Sequence, residues 1–372
     1  MKLLMITGDR ALAEGKRGAF YNTIEEFHKH WERIDIISPK VKSQMSDVKS
    51  LFGNVYIHSS NLPLILQPWF ILKKGSEIYK REKFDLMTVH EYPPFYNGIG
   101  ARLLWRKIKV PYILEIFHIS GYPEFSNPKE FIYRYLMQFF ISYDAARAKT
   151  VRIMNADVGK FLESSGIPRS KLTLIPAIYA DLDVFKPMVL PKEYDLILIG
   201  RLEPNKGVEL FLDVVKKMNC RAIIVGDGSL LESLRPKVKG LKLENNFIFR
   251  GWAKDSAEIA QLINKSKILI MPSYNEGGPR VVIEALACGV PILATPVGIV
   301  PDLFKNNSSE WSGKSWGKII DWDAEDIAKK AKNILENYET YKNSGLEVAR
   351  QFERKEAIKN YAEQLKRLIT NN

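Results

Sequence analysis

Short apolar runs alternate with longer amphipathic segments from one end of the chain to the other. In the first half, Leu3–Thr7, Ile34–Ser38, Val55–His58, Leu86–His90 and Tyr112–His118 have the length and composition of buried strands. In the second half the same signal falls on Leu196–Ile199, Ala222–Val225, Phe247–Arg250, Ile268–Pro272 and Pro291–Ala294. Between these runs, Tyr21–Trp31, Gly98–Lys107, Glu209–Lys217 and Ser229–Val238 carry apolar residues at helical spacing. Strands that read as continuous apolar runs, with helices between them, predict α/β folding on parallel sheets covered on both faces. Two such series in succession predict two doubly wound, Rossmann-like domains. The segment from Ala180 through Pro187 to Pro191 is rich in proline and short polar residues, and a fresh strand, Tyr194–Ile199, follows it. The domains are therefore expected at residues 1–185 and 186–347, with a final amphipathic segment over 348–372.

Length supports that division, since 372 residues exceed what one hydrophobic core usually serves. A chain with 46% hydrophobic and 26% charged residues can build packed cores, which excludes intrinsic disorder. Two cysteines, Cys220 and Cys288, exclude a disulfide framework and a Cys-rich zinc site. No apolar run approaches the ~18–20 residues needed to cross a bilayer, and the apolar stretch at the start is too short for a signal peptide. A cytoplasmic protein is expected. The net charge is +12, with 27 Lys and Arg against 19 Asp and Glu in residues 1–186 and 28 against 24 in the remainder. Basic residues gather at Lys73, Lys74, Lys80, Arg81 and Lys83, and again at Arg102, Arg106, Lys107 and Lys109. Solvated helix faces account for them more simply than an anionic partner. No zinc-finger spacing or aromatic-basic signature points to nucleic acid.

In open parallel sheets, ligands collect beyond the carboxyl ends of the strands, where helix N-termini present free amides. Two such loops stand out. After Leu196–Ile199 comes Gly200-Arg201-Leu202-Glu203-Pro204-Asn205-Lys206-Gly207, in which a guanidinium and an ammonium leave one strand end together. That pairing suits a diphosphate. After Ile268–Pro272 comes Ser273-Tyr274-Asn275-Glu276-Gly277-Gly278-Pro279-Arg280, then a helix over Val281–Cys288 stopped by Gly289. Pro279 fits a first helical position, and Gly277 and Gly278 let backbone approach a ligand. Glu284 sits among Val, Ile, Ala and Leu, where a carboxylate needs an internal basic partner or a polar ligand. The Gly-rich loop beside it favours the ligand. In the first half, Gly15-Lys16-Arg17-Gly18 follows the first strand. His90 reads as a structural histidine, whereas His118 stands at a strand end facing the expected ligand edge. Glu115, inside a predicted strand, has no evident role.

Gly200-Arg201-Leu202 with Lys206-Gly207, together with Glu276 and Glu284 at their spacing, resembles the retaining glycosyltransferases of family 4. The resemblance is strongest from Tyr194 to Asp302, including Thr295-Pro296-Val297-Gly298, and weaker before residue 190. It implies the GT-B architecture, two Rossmann-like domains facing a central cleft, with an acceptor-binding first domain and a donor-binding second one. It implies that the final helix packs back on the first domain. Transfer of a sugar from a nucleotide-sugar, a UDP- or GDP-sugar, to a glycan or lipid-linked acceptor would follow, in polysaccharide or glycoconjugate assembly. Arg201 and Lys206 would neutralise the diphosphate, and Glu276 with amides from Gly277 to Arg280 would hold the sugar. Glu284 would accept the ribose hydroxyls, and the backbone around Gly200 and Phe249-Arg250-Gly251 would complete the donor site. Gly15 and Gly18 would close on the phosphates, with His118 near the sugar. No metal and no separate cofactor are implied.

Departures from the family pattern are Ala177-Ile178-Tyr179-Ala180-Asp181 before the linker, Ile299 after Gly298, Asp302 in place of a glutamate, and the spread glycines of Gly15 and Gly18. Asp181-Leu182-Asp183 and Asp321-Trp322-Asp323 match a metal-binding spacing that arises readily by chance. The alternative readings are a non-catalytic two-domain nucleotide- or sugar-binding protein, or a related GT-B sugar-phosphate synthase, phosphorylase or epimerase. The incomplete fingerprint Gly226-Asp227-Gly228-Ser229 argues against an oxidoreductase. The aromatic segment Phe131–Phe140 reads as an ordinary buried helix. A peripheral contact with a membrane, at the inner surface, is its alternative.

Overall fold

A computed structural model of the protein describes residues 1–41, 48–305 and 316–370. The chain divides into two compact units, one made of residues 1–117, 132–177 and 355–372 and the other of residues 118–131 and 178–354. The first is built on an eight-stranded sheet of β1 (Lys2–Ile6), β2 (Arg33–Ser38), β3 (Val48–Leu51), β4 (Val55–Ser59), β5 (Leu86–His90), β6 (Tyr112–Ile116), β7 (Thr150–Ile153) and β8 (Leu172–Leu174). Its order is β3-β4-β2-β1-β5-β6-β7-β8, parallel except for β3 against β4. Helices α1 (Ala19–Phe27), α2 (Gln67–Glu82), α3 (Tyr96–Ile108), α4 (Pro128–Ala145) and α5 (Ala156–Ser164) connect the strands. Strand order steps one way through α1 and the other way through α2 to α5. Right-handed crossovers therefore place α1 on one face and the other four in a layer on the opposite face.

The second unit carries a six-stranded parallel sheet of β9 (Tyr194–Ile199), β10 (Ala222–Val225), β11 (Phe247–Gly251), β12 (Ser266–Met271), β13 (Ile292–Ala294) and β14 (Gly317–Ile319), in the order β11-β10-β9-β12-β13-β14. Helices α6 (Val208–Met218), α7 (Leu231–Gly240), α8 (Ser256–Asn264), α9 (Arg280–Ala287), α10 (Val300–Lys305), α11 (Ala324–Glu336), α12 (Tyr338–Tyr341) and α13 (Leu346–Arg350) surround it. One continuous apolar core joins Leu196, Leu198, Phe211, Ile224, Ile268, Ile270, Leu293 and Ile327 across the sheet and its helices. The last helix, α14 (Arg354–Thr370), enters the core of the first unit, where Tyr361 stacks on Phe27 at 4.9 Å. The amphipathic run read over Val348–Ile369 is thus two helices, α13 and α14, with Gln351–Glu353 between them.

The ten strands read from apolar runs all form, each within a few residues. The strands that escaped notice are edge or short pieces: β3, β7, β8 and β14. Helix α4 overturns its reading as an ordinary buried helix. Met137, Ile141, Asp144 and Ala145 are buried, but Ile132, Tyr133, Tyr135, Leu136, Phe139 and Tyr143 are exposed. Apolar residues lie on both its inner and its outer face, while a one-sided layer buries only the face turned to the sheet.

Two carboxyl groups meet in the first unit beneath α3. Glu91 follows β5 and Asp144 lies on α4, and both converge on Gly98, where an added Cβ would lie 2.2 Å from one and 2.5 Å from the other. Both are buried, and neither Asp144 oxygen nor Glu91 Oε2 has a hydrogen-bond partner. Desolvation pushes the Asp144 carboxyl up to about 8, and desolvation with the Asp144 charge holds Glu91 well above its ordinary range. The folded state therefore binds protons that the unfolded chain has released. Stability from this pair is full below pH ~4 and drains away as pH rises towards 8, at up to about 1.4 kcal/mol per pH unit and proton. Asp144→Asn is expected to raise the unfolding temperature at pH 8 and to flatten its decline between pH 5 and pH 8. A variant that tracks the wild type at both ends of that range removes the assignment.

Candidate active site

The two loops singled out in the sequence come together at the carboxyl edge of the second sheet. β9 and β12 are hydrogen-bonded neighbours, so the loops that follow them start side by side. Gly207 ends the first loop with φ of +63°, and a Cβ there would sit 2.1 Å from the Pro272 carbonyl oxygen of the second. Only glycine fits that backbone and that approach. Tyr274 N donates to Asn205 O at 2.8 Å, and the Asn205 side-chain amide reaches Asn275 O at 3.4 Å. The first loop is also held from the other side: Glu203 accepts from Ser229 N at 3.1 Å and Ser229 Oγ at 2.7 Å. These bonds fix where the side chains of the first loop begin.

Lys206 and Glu276 form an ion pair between the loops, each with about one-sixth of its side chain accessible. Ser273 Oγ donates a second bond to Glu276 at 3.2 Å. Arg201 is exposed on the same strand end. Ser273 is fixed in turn, its carbonyl accepting from Thr295 Oγ1 at 2.6 Å and Trp322 Nε1 at 3.0 Å, while the Trp322 ring lies parallel to Tyr274. Asn275 Nδ2 donates to Glu130 at 3.0 Å and to the Glu124 carbonyl at 3.1 Å. Behind the glycine pair, Gly298 has φ of +61°, and a Cβ there would be 2.7 Å from Gly277 O. The turn after β13 therefore supports the loop from below.

His118 belongs to the same unit and lies within electrostatic reach of Glu276, Lys206, Arg201 and Glu130. Its ring keeps accessible surface, yet the protein crowded around it displaces enough water to push its pKa below the ordinary 6.5. Glu276 opposes that shift, and Lys206 and Arg201 add to it. A neutral imidazole at pH 7 follows.

Pro279 occupies the N-cap of α9, one residue earlier than the sequence suggested, and Arg280 begins the helix. One turn on, Glu284 is half-buried, and among the described residues no protein donor bonds its carboxylate. Desolvation raises its pKa to about 7, with Arg280 pulling it down. The Arg280 guanidinium lies over the Tyr179 ring at 4.0 Å. Arg250, at the end of β11, is paired with Glu258 of α8. Gly15 and Gly18 are in the first unit: Gly15 closes a turn with φ of +78°, and Gly18 is the extended N-cap of α1 with open space around it. The two Asp-x-Asp segments spend carboxylates locally. Asp323 caps α11 through Asp326 N at 2.8 Å, and Asp181 accepts from Asp183 N and pairs with Arg354.

Sequence reasoning missed the residues that stitch this edge together, Asn205, Ser273, Tyr274, Thr295 and Trp322. Asn205, Tyr274, Thr295 and Trp322 act through backbone groups of loops distant in sequence, and Ser273 supplies the carbonyl that two of them reach. A tryptophan between two aspartates at a strand end was the one visible signal.

Residues 182–351 match the family model described as glycosyl transferases group 1. Those residues are less than half of the chain, and it is there that the sequence is similar to glycosyl transferases group 1; the two Rossmann-like parallel-sheet domains are those of GT-B structures. An uncharacterised glycosyltransferase of Methanocaldococcus jannaschii is 26% identical over 292 residues, 76% of this chain and 74% of that protein. A sucrose-phosphate synthase from Thermosynechococcus elongatus shares the fold with a TM-score of 0.83 and 17% identity, each chain covered in full. Anabaena HepE, solved in complex with UDP and glucose, aligns with a TM-score of 0.74 and 17% identity over 98% of this chain and 99% of that one.

Proposed function

We propose that this protein is a retaining glycosyltransferase of family 4 that moves a hexosyl group from a UDP- or GDP-sugar to a glycan or lipid-linked acceptor. The observation that carries the proposal is the Lys206–Glu276 pair set between two rigid loops, with exposed Arg201 on the same strand end and, in the first turns of α9, Glu284, whose carboxylate meets no protein donor among the described residues. Each of these side chains has a match in a nucleotide-sugar. Arg201 and Lys206 supply positive charge where the diphosphate leaving group becomes more negative, a task that fixed cations perform without a metal ion. Glu276, already oriented by Lys206 and Ser273, accepts from hydroxyls of the transferred sugar. Amides at the start of α9 add donors beside it. Glu284 accepts the two ribose hydroxyls, which supplies the partners that the protein leaves out. His118, neutral at pH 7, stands by the reacting end. Glycan or glycoconjugate assembly at the cytoplasmic face of a membrane is the setting this acceptor class implies.

Glu284→Ala is expected to weaken UDP binding about 10–100-fold without lowering the unfolding temperature, since two hydrogen bonds to a charged group are lost. The proton on Glu284 gives a second signature. Below pH 7 the wild type must release it to accept ribose, so its affinity falls relative to the variant as pH drops to 5.5. Equal affinity in the two proteins, at both pH values, overturns the ribose role.

A further inference from the structure

Helix α4 carries an apolar stripe directed away from its own core. Ile132, Tyr135, Leu136, Phe139 and Tyr143 recur at helical spacing along one face and are all exposed, Tyr135 by 70% and Phe139 by 75%. The stripe runs about 16 Å along the axis. The opposite face, with Met137 and Ile141, is buried against the first unit. A helix that is apolar on its outer as well as its inner face leaves the outer one without a cover. It does not stand alone in its layer. Phe95 at the start of α3 stacks on Phe140 at 5.2 Å, and α3 packs in turn on α2 through Gly100 and Pro68. At the start of α2, Ile65 and Trp69 are exposed by 69% and 61%.

Charge says what kind of cover fits. Counted over the sequence of the two units, the first holds 29 Lys and Arg against 17 Asp and Glu, and the second holds 26 of each. The whole net charge of +12 therefore belongs to the unit that bears the stripe. Cations gather at the C-terminal end of the stripe. The Arg102 guanidinium lies 3.6 Å from the centre of the Tyr143 ring, and Lys109 and Arg147 lie 4.5 Å and 5.7 Å from that of Trp105. Helix α3 contributes Arg102, Arg106 and Lys107 and no acidic residue. Aromatic rings beside cations, along a helix with an exposed apolar face, match the headgroup boundary of an anionic bilayer. No helix among the described residues is long and apolar enough to cross a membrane, so the contact is one of lying on the surface.

We infer that the outer face of α4, with the start of α2, docks the first unit on an anionic lipid bilayer. This rests on and deepens the reading of the acceptor as lipid-linked, because the surface holds the first unit where such acceptors reside. Its test needs no turnover. The full chain is sedimented with vesicles of phosphatidylcholine alone and of phosphatidylcholine containing phosphatidylglycerol, at low and high salt. The wild type is expected to bind the anionic vesicles at least ~10-fold better than the neutral ones, and to lose most of that preference at high salt. Tyr135→Ser with Phe139→Ser, and separately Trp69→Ser, should each reduce binding, the double variant by ~10-fold or more, with unfolding temperature and UDP affinity unchanged. A wild type that stays in solution with both vesicles overturns the inference, as does a double variant that binds like the wild type. A lipid-free dimer that the double variant converts to monomer also overturns it, since the stripe would then cover a second copy. A wild type that binds UDP and neither kind of vesicle removes the surface only. UDP affinity absent in a wild type that still binds vesicles removes the donor reading only.

Discussion

Arg201→Ala combined with Lys206→Ala is expected to lower kcat/KM by roughly 10³–10⁴-fold while the protein stays folded. The size follows from where the two charges stand. Both leave the end of β9 on a loop held from two sides, by Glu203 with Ser229 and by Gly207 against Pro272. Fixed cations of this kind need no reorganisation when charge develops on a leaving group, and removing one such donor elsewhere costs about 10²–10³ in rate. The two should act on the same diphosphate, so their effects overlap and the double loss stays below the product of the singles. Lys206 also holds Glu276, so the single Lys206→Ala should raise KM as well as lower kcat. Arg201→Ala, which disturbs no such pair, should act mainly on kcat. Neither residue is in the core, and the unfolding temperature should move by only a few degrees. A double variant with near-normal turnover would mean that the diphosphate is neutralised elsewhere.

Legibility in the sequence followed the range of the interaction. Buried parallel strands are apolar runs, and nearly every such run became a strand. β7 was lost because Arg152 interrupts it, and β3 because it is a four-residue antiparallel edge strand that carries no apolar run. The loops after β9 and β12 were legible because glycines and charged residues cluster just beyond a strand. Their joining was not legible: Lys206 and Glu276 are 70 residues apart, and only the strand order β9-β12 makes them neighbours. Glu115 had no account for the same reason, since two of its partners, Arg152 and Tyr361, lie 37 and 246 positions away. Helix α4 misled the reading in the other direction. Apolar residues on two faces predict burial when the number of covering layers is unknown, and the first unit supplies only one.

Glu115→Ala is expected to destabilise the first unit by about 3–5 kcal/mol, a fall in its unfolding temperature on the order of 10 °C. Glu115 has no accessible surface, and three partners converge on its carboxylate. Arg152 Nη1 donates at 2.6 Å, Tyr361 Oη donates at 2.6 Å from the last helix, and His90 Nε2 lies 2.9 Å away. Arg152 is itself fully buried, donates to the Ile175 carbonyl and stacks over the Tyr361 ring at 4.2 Å. Removing the carboxylate strands this guanidinium without its counter-charge, which costs far more than the pair contributes. The double variant Glu115→Met, Arg152→Met should therefore be more stable than Glu115→Ala alone. Tyr361→Phe, which keeps the stacking on Phe27 and loses one charged hydrogen bond, should cost about 1.5–3 kcal/mol. Burial alone would raise the Glu115 pKa, but Arg152, His90 and Tyr361 hold it down to about 2 against an ordinary 4.5. A lowered pKa means stability that is present above pH ~4.5 and lost as pH falls through 2. The wild type should thus lose stability on acidification in that window, and Glu115→Ala should lose less. A Glu115→Ala protein that unfolds within a degree or two of the wild type would show that the cluster contributes nothing to holding α14 in place.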